Sequence, residues 1–137
     1  MPSFSKKSRM KLESCHKDII IICEQAIKII DFTVLEGHRS EQRQRDLYLD
    51  GKSKLDGIKK KSKHQGYPSM AVDIAPYPID WDDANRFYFL SGVMFGLAHE
   101  LYLRGDIDHS LRWGGDWDKD MKFDDQKFDD LPHFELV

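Results

Sequence analysis

An α+β fold, with helices packed on one face of a small, mostly antiparallel sheet, is what this 137-residue sequence predicts. Three observations carry the prediction. Apolar residues recur at helical spacing near the start and again over residues 82–103. Short segments rich in β-favouring residues, bounded by glycine or proline, lie between and after them. The helices therefore precede and separate a few strands rather than a long run of them. The length suits one domain spanning 1–137, which can bury roughly two thirds of its unfolded surface.

Leu12, Cys15, Ile19, Ile22, Cys23, Ala26, Ile29 and Ile30 share a face, with Glu13, Lys17, Glu24 and Lys28 between them, so a helix is expected over 9–30. Asp31-Phe-Thr-Val-Leu-Glu36, stopped by Gly37, reads as a strand. Ser40 can cap a helix running to Asp50 and ending at Gly51. Residues 51–63 read as a loop holding Lys52, Lys54, Lys59, Lys60, Lys61 and Lys63, either solvated and mobile or a basic rim that attracts an anionic polymer. Ala71-Val-Asp-Ile-Ala75 is a buried strand, and Pro76-Tyr-Pro78 should end its ladder. A long helix should start at Asp82 or Asp83 and reach Leu103, with Phe87, Leu90, Val93, Met94, Leu97 and Leu101 inward. Leu111–Trp113 is a short strand, 114–131 an acidic loop, and Pro132–Leu136 the last strand.

Net charge of −3 makes no case for nucleic-acid binding. Cys15 and Cys23, eight residues apart in one helix, would stand about 12 Å apart along its axis, too far for a disulfide. They read as buried thiols, and no oxidising compartment is needed. The basic N-terminus lacks a following apolar core, and Ile19–Cys23 is too short to span a membrane. Neither an export signal nor membrane insertion is expected.

Asp73 is the most telling single residue. A carboxylate between Val72 and Ile74 in an apolar strand is costly unless paired or metal-bound. His133, beside Pro132 and Phe134, should also be partly buried, and His64 is a third candidate. Two histidines and an aspartate can hold zinc and leave a fourth position open, which is the catalytic rather than the structural pattern. No cysteine is placed to close the site. Asp130, three residues before His133, is suited to general acid–base work, with Asp129 its rival. Arg39, at the corner after the first strand, can face a developing oxyanion or a substrate carboxylate. His38 is not expected to be a ligand. Trp113-Gly-Gly-Asp-Trp117 reads either as a groove wall, with Asp116 bonding groups behind the site, or as core plus turn. Asp116-x-Asp118-x-Asp120 opens like a calcium loop, but Met121 and Lys127 stand where glycine and glutamate belong.

These motifs resemble those of the LAS metallopeptidases, which include D-Ala-D-Ala carboxypeptidases, vancomycin-resistance dipeptidases and the Hedgehog domain. The chain looks most like small phage endolysins that are L-alanyl-D-glutamate endopeptidases. Ser62-Lys-His64, Ala71-Val-Asp73 and Asp130-Leu-Pro-His133 match the family's ordered pattern, and Gly37-x-Arg39, Trp113–Trp117 and His133-Phe-Glu-Leu-Val137 extend the likeness over nearly the whole chain. One departure stands out. His64 and Asp73 are nine residues apart rather than seven, so Gln65–Met70 must bulge outward, and Tyr67-Pro68 suits such a turn.

The resemblance implies a Hedgehog/D-Ala-D-Ala peptidase-like fold. It implies one zinc ion on His64, Asp73 and His133, with Asp130 and Arg39 catalytic and Ser62, Trp113, Asp116 and Trp117 contacting substrate. The implied activity is hydrolysis of peptidoglycan stem peptides, at the L-Ala–D-Glu bond, for host lysis by a phage. The protein is expected to be a monomer held in the host cytoplasm and released through a separate membrane lesion. Alternatives within reach of the same residues are a D,D-carboxypeptidase or D-Ala-D-Ala dipeptidase, and a non-catalytic zinc-stabilised binding domain.

Overall fold

A computed structural model of the chain describes residues 2–122 and 130–137. In order it has α1 (Lys6–Glu13), α2 (Lys17–Ala26), β1 (Phe32–Glu36), α3 (Glu41–Leu49), one 3-10 turn (Lys63–Gln65), β2 (Ala71–Pro76), α4 (Ala84–Leu103), β3 (Leu111–Gly114) and β4 (Asp130–Leu136). The sheet order is β1-β2-β4-β3, and all three pairings are antiparallel. The α+β expectation holds. No helix among the described residues is long and apolar enough to cross a membrane.

The alternation of side chains along each strand divides the sheet into an apolar and a chemical face. Phe32 and Val34, Val72 and Ile74, Leu111 and Trp113, and Phe134 and Leu136 are buried in one cluster with Leu12, Ile19, Ile22, Leu90, Met94 and Leu101 of the helices. The intervening residues point the other way. Asp73 lies opposite His133 in the β2–β4 register, and Arg112 lies opposite Glu135 in β3–β4. A bulge at Leu35 sets Glu36 opposite Asp73. Glu36, Asp73 and His133 thus form a row across three strands. A slip of one residue in β2 or β4 would send that row into the core.

The single helix expected over 9–30 is two. Leu12, Cys15 and Ile19 stay in phase across the corner, so periodicity alone reads through it, and neither glycine nor proline marks the break. Tertiary hydrogen bonds make it instead. The His16 amide donates to the Ser69 carbonyl (2.8 Å), the Ser69 amide to the Ser14 carbonyl (2.9 Å), and the His38 amide to Ser14 Oγ (2.8 Å). Gly37 runs so close to this corner that a Cβ would strike the Lys11 carbonyl and Ser14 Oγ. His16 then caps α2, its Nδ1 accepting from the Asp18 amide (3.0 Å). The axial separation inferred for Cys15 and Cys23 falls with the single helix, but both are buried free thiols.

Strand β4 begins at Asp130, two residues earlier than expected, and α4 begins at Ala84. Strand β2 includes Pro76, which lies opposite Phe32 at the sheet's end. Residues 66–68 are exposed, so the insertion between His64 and Asp73 does bulge outward.

Asp18, wholly buried, staples α2 to the segment before β3. Its Oδ2 accepts from the Asp108 amide (3.0 Å) and from His109 Nδ1 (2.8 Å). Burial alone would raise this carboxyl, but those bonds and the two neighbouring histidines hold it below its ordinary 3.8. A depressed folded-state value contributes stability above the unfolded pKa and loses it as pH falls through the folded one. Asp18→Asn should therefore lose about 1–3 kcal/mol near neutral pH. In urea titrations the deficit should shrink once pH drops below about 3.8. A deficit independent of pH would contradict this.

Candidate metal centre and cleft

His64, Asp73 and His133 converge on the chemical face. His64 Nε2 lies 3.2 Å from Asp73 Oδ1 and 3.3 Å from His133 Nδ1, and His133 Nδ1 lies 3.1 Å from Asp73 Oδ1. Zinc bonds of about 2.0–2.1 Å at tetrahedral angles place ligand atoms about 3.3–3.4 Å apart. The three separations match one face of such a tetrahedron with slight compression. Both imidazoles are buried.

The remote nitrogen of each ring fixes its tautomer. His64 Nδ1 lies 2.8 Å from the Gly37 carbonyl, which can only accept, so Nδ1 carries the proton and Nε2 a lone pair. His133 Nε2 donates to Glu135 Oε1 (2.8 Å), leaving Nδ1 as the free nitrogen. Two lone pairs and a carboxylate aimed at one point call for a cation. In the protein alone a proton can serve. Burial opposes charging His133, but Asp73 and Glu135 outweigh it and push its pKa to about 9. Burial likewise opposes the Asp73 charge, and the two histidines hold that carboxyl far below its ordinary value.

Local structure explains how each ligand is held. Ser62 Oγ accepts from the His64 amide (3.1 Å) while Gln65 Oε1 accepts from the Ser62 amide (2.9 Å), a capping box on the turn that carries His64. The Arg39 amide donates to the His64 carbonyl (2.7 Å). The Arg39 side chain donates to both Glu36 carboxylate oxygens (3.0 and 2.9 Å) and to Gln44 Oε1 (2.6 Å), and stands 3.6 Å from Asp73 Oδ2. Glu135 is gripped by Arg112 Nη2 (2.6 Å); burial opposes its charge, but the bonds from His133 and then Arg112 lower its pKa to about 2.

The centre opens into a cleft of about 580 Å³, within the ~300–1,000 Å³ usual for ligand sites. Asp130 lines it but contributes no atom to the triad. Burial, then the Asp73 charge, raises the Asp130 carboxyl, while His133, His64 and Arg39 pull it partly back. Its backbone is seated against Gly114, where a Cβ would strike the Asp130 carbonyl. Asp129 lies outside the described residues.

Trp117 also lines the cleft, its ring 5.4 Å from that of His133. The expected contacts from Trp113 and Asp116 are corrected. Trp113 is 1% exposed, stacks on Phe134 and donates Nε1 to the Leu131 carbonyl (2.7 Å), because its strand position faces the helices. The Asp116 carboxylate turns inward to accept the Asp120 and Met121 amides (3.2 and 2.9 Å) and does not line the cleft. Ser62 lines it, though its hydroxyl serves the cap. His38 stands apart from the triad and does not line the cleft; its Nδ1 meets the Gly66 carbonyl (2.8 Å).

Sequence reasoning missed Glu135, Glu36 and Gln44. Glu135 was within reach, since it stands two residues from His133 on one strand and must share its face. Glu135→Ala should leave His133 without its acceptor and weaken metal binding about 10- to 100-fold in chelator competition. Unchanged affinity would contradict that supporting role.

The model of the phage L-alanyl-D-glutamate peptidase family matches residues 2–137. Among solved structures, the L-Ala D-Glu endopeptidase ChiX of Serratia marcescens is similar, with a TM-score of 0.74 and 25% identity over 98% of this chain and 89% of that one. A search of curated sequences finds no significant match.

Proposed function

Because the chain belongs to the phage L-alanyl-D-glutamate peptidase family, we propose a zinc-dependent mechanism in which His64, Asp73 and His133 hold the ion and Asp130 moves the proton. The chain is a peptidoglycan endopeptidase acting between L-Ala and D-Glu of the stem peptide. The observation that carries the metal reading is the triangle of ligand atoms 3.1–3.3 Å apart, with each ring's other nitrogen already engaged.

A zinc ion bound there supplies a positive centre that acidifies a water to a pKa of about 7 and polarises a carbonyl. Asp130 takes the attacking water's proton and returns it to the departing amine. Its raised pKa suits a group that must do both near neutral pH. Arg39, held behind Asp73, keeps that ligand in place and adds positive potential toward the developing oxyanion. Trp117 and the cleft walls hold the peptide. As a single catalytic domain and a monomer, the protein would act as a phage endolysin, made in the host cytoplasm and reaching the wall through a separate lesion.

The experiment is digestion of purified peptidoglycan with product analysis by mass spectrometry. Fragments with a new N-terminal D-Glu are expected. Release of D-Ala alone would instead support the carboxypeptidase or dipeptidase reading. Bound zinc without any product would support a binding domain.

A further inference from the structure

Helix α3 is anchored by an amide. A helix packed on a protein normally buries an apolar stripe. In Glu41–Leu49 the only buried residue is Gln44, and it is wholly buried. An amide there is costly unless each polar atom is bonded, and each is. Oε1 accepts from Arg39 Nη1 (2.6 Å), and Nε2 donates to Ser53 Oγ (2.9 Å) and the Leu55 carbonyl (2.7 Å). The partners fix which way the amide points, since a guanidinium only donates and a carbonyl only accepts. Gly57, at φ +85°, closes over the side chain, so that a Cβ on it would stand 3.0 Å from Gln44 Cγ. From the other side Gln65, on the His64 turn, donates Nε2 to the Gly57 carbonyl (2.9 Å).

The two ends of the Gln44 amide serve different parts of the cleft. Ser53 and Leu55 belong to its wall, and Arg39 lines it beside Asp73, whereas Gln44 does not line it. Glu36 holds Nε and Nη2 of the arginine, whose Nη2 stands 3.6 Å from Asp73 Oδ2. Gln44 takes Nη1, the nitrogen that Glu36 leaves. Being neutral, it fixes the guanidinium without adding a third anion to the two carboxylates already beside it.

Resting on the mechanism above, in which Arg39 faces the developing oxyanion, we propose that Gln44 is a positioning residue for the hydrolysis. Its single amide ties the seating of the wall at Ser53–Leu55 to the aim of Arg39. Gln44 acts through that arginine and not on the peptide.

The test is a double-mutant cycle on the zinc-loaded protein, with kcat and KM measured on an L-Ala–D-Glu stem peptide and zinc content measured on each preparation. Gln44→Met is close in size and has no hydrogen-bonding amide. It should keep about one equivalent of zinc and lose about 10- to 100-fold in kcat, with a smaller change in KM. Added to Arg39→Ala, it should cost no more than about twofold, because the group it aims is already gone. Should Gln44→Met lose its fold or its zinc, Ser53→Ala carries the test. That variant removes one partner of the amide and should lower kcat a few-fold in the native background and not at all beside Arg39→Ala. An unchanged kcat, a change in KM alone, or equal losses in both backgrounds overturns the positioning role and leaves the mechanism standing. Full activity of Arg39→Ala by itself would overturn the role given to the arginine, and that of Gln44 with it.

Discussion

Asp130→Ala is expected to keep the fold and the metal while losing about 100- to 10,000-fold in turnover, the usual worth of a positioned acid–base group. Asp130 reaches the cleft but supplies none of the three converging ligand atoms. Its removal therefore leaves the triad intact. The seat that Gly114 gives it is backbone, so a smaller side chain does not disturb the β3–β4 contact. The effect should fall on turnover rather than on metal content, and both should be measured on one preparation. Near-full activity would move the role to another carboxylate, of which Asp129 is the first candidate.

His133→Ala should do more. It deletes one corner of the triangle and frees Glu135 from its 2.8 Å bond. Two ligands remain, too few for a zinc site that normally uses three protein donors. Metal content should fall from about one equivalent to near none, and hydrolysis should vanish with it. Added zinc should not restore activity at concentrations that reload the native protein. A variant that keeps a full equivalent of metal would place the ion elsewhere. The two substitutions separate proton transfer from metal binding, which a loss of activity alone cannot do.

Much of this site is written in local pattern. Asp73 announces itself as a charge inside the apolar run Ala71–Ala75, and His133 shares a cross-strand position with it. The strands and the long α4 follow from periodicity, and α3 from its Ser40 cap, whereas Asp83 before α4 makes no side-chain cap bond. What escaped depends on long-range contact. The corner at Ser14–His16 is made by Ser69 and by the close passage of Gly37, neither adjacent in sequence. The bulge that turns Glu36 toward Asp73 has no sequence mark. Trp113 could be placed only once its strand's inward face was known. The lysine-rich loop looked solvated because the residue that anchors it, Gln44, sits on another element.

The most direct test of a metal-dependent endopeptidase is cleavage of purified peptidoglycan by the protein as isolated, after chelation, and after return of one equivalent of zinc. New N-termini are read by mass spectrometry. New N-terminal D-Glu should appear, disappear on chelation and return with zinc. The same product at the same rate in the stripped protein would contradict a metal held by His64, Asp73 and His133 as the catalytic centre.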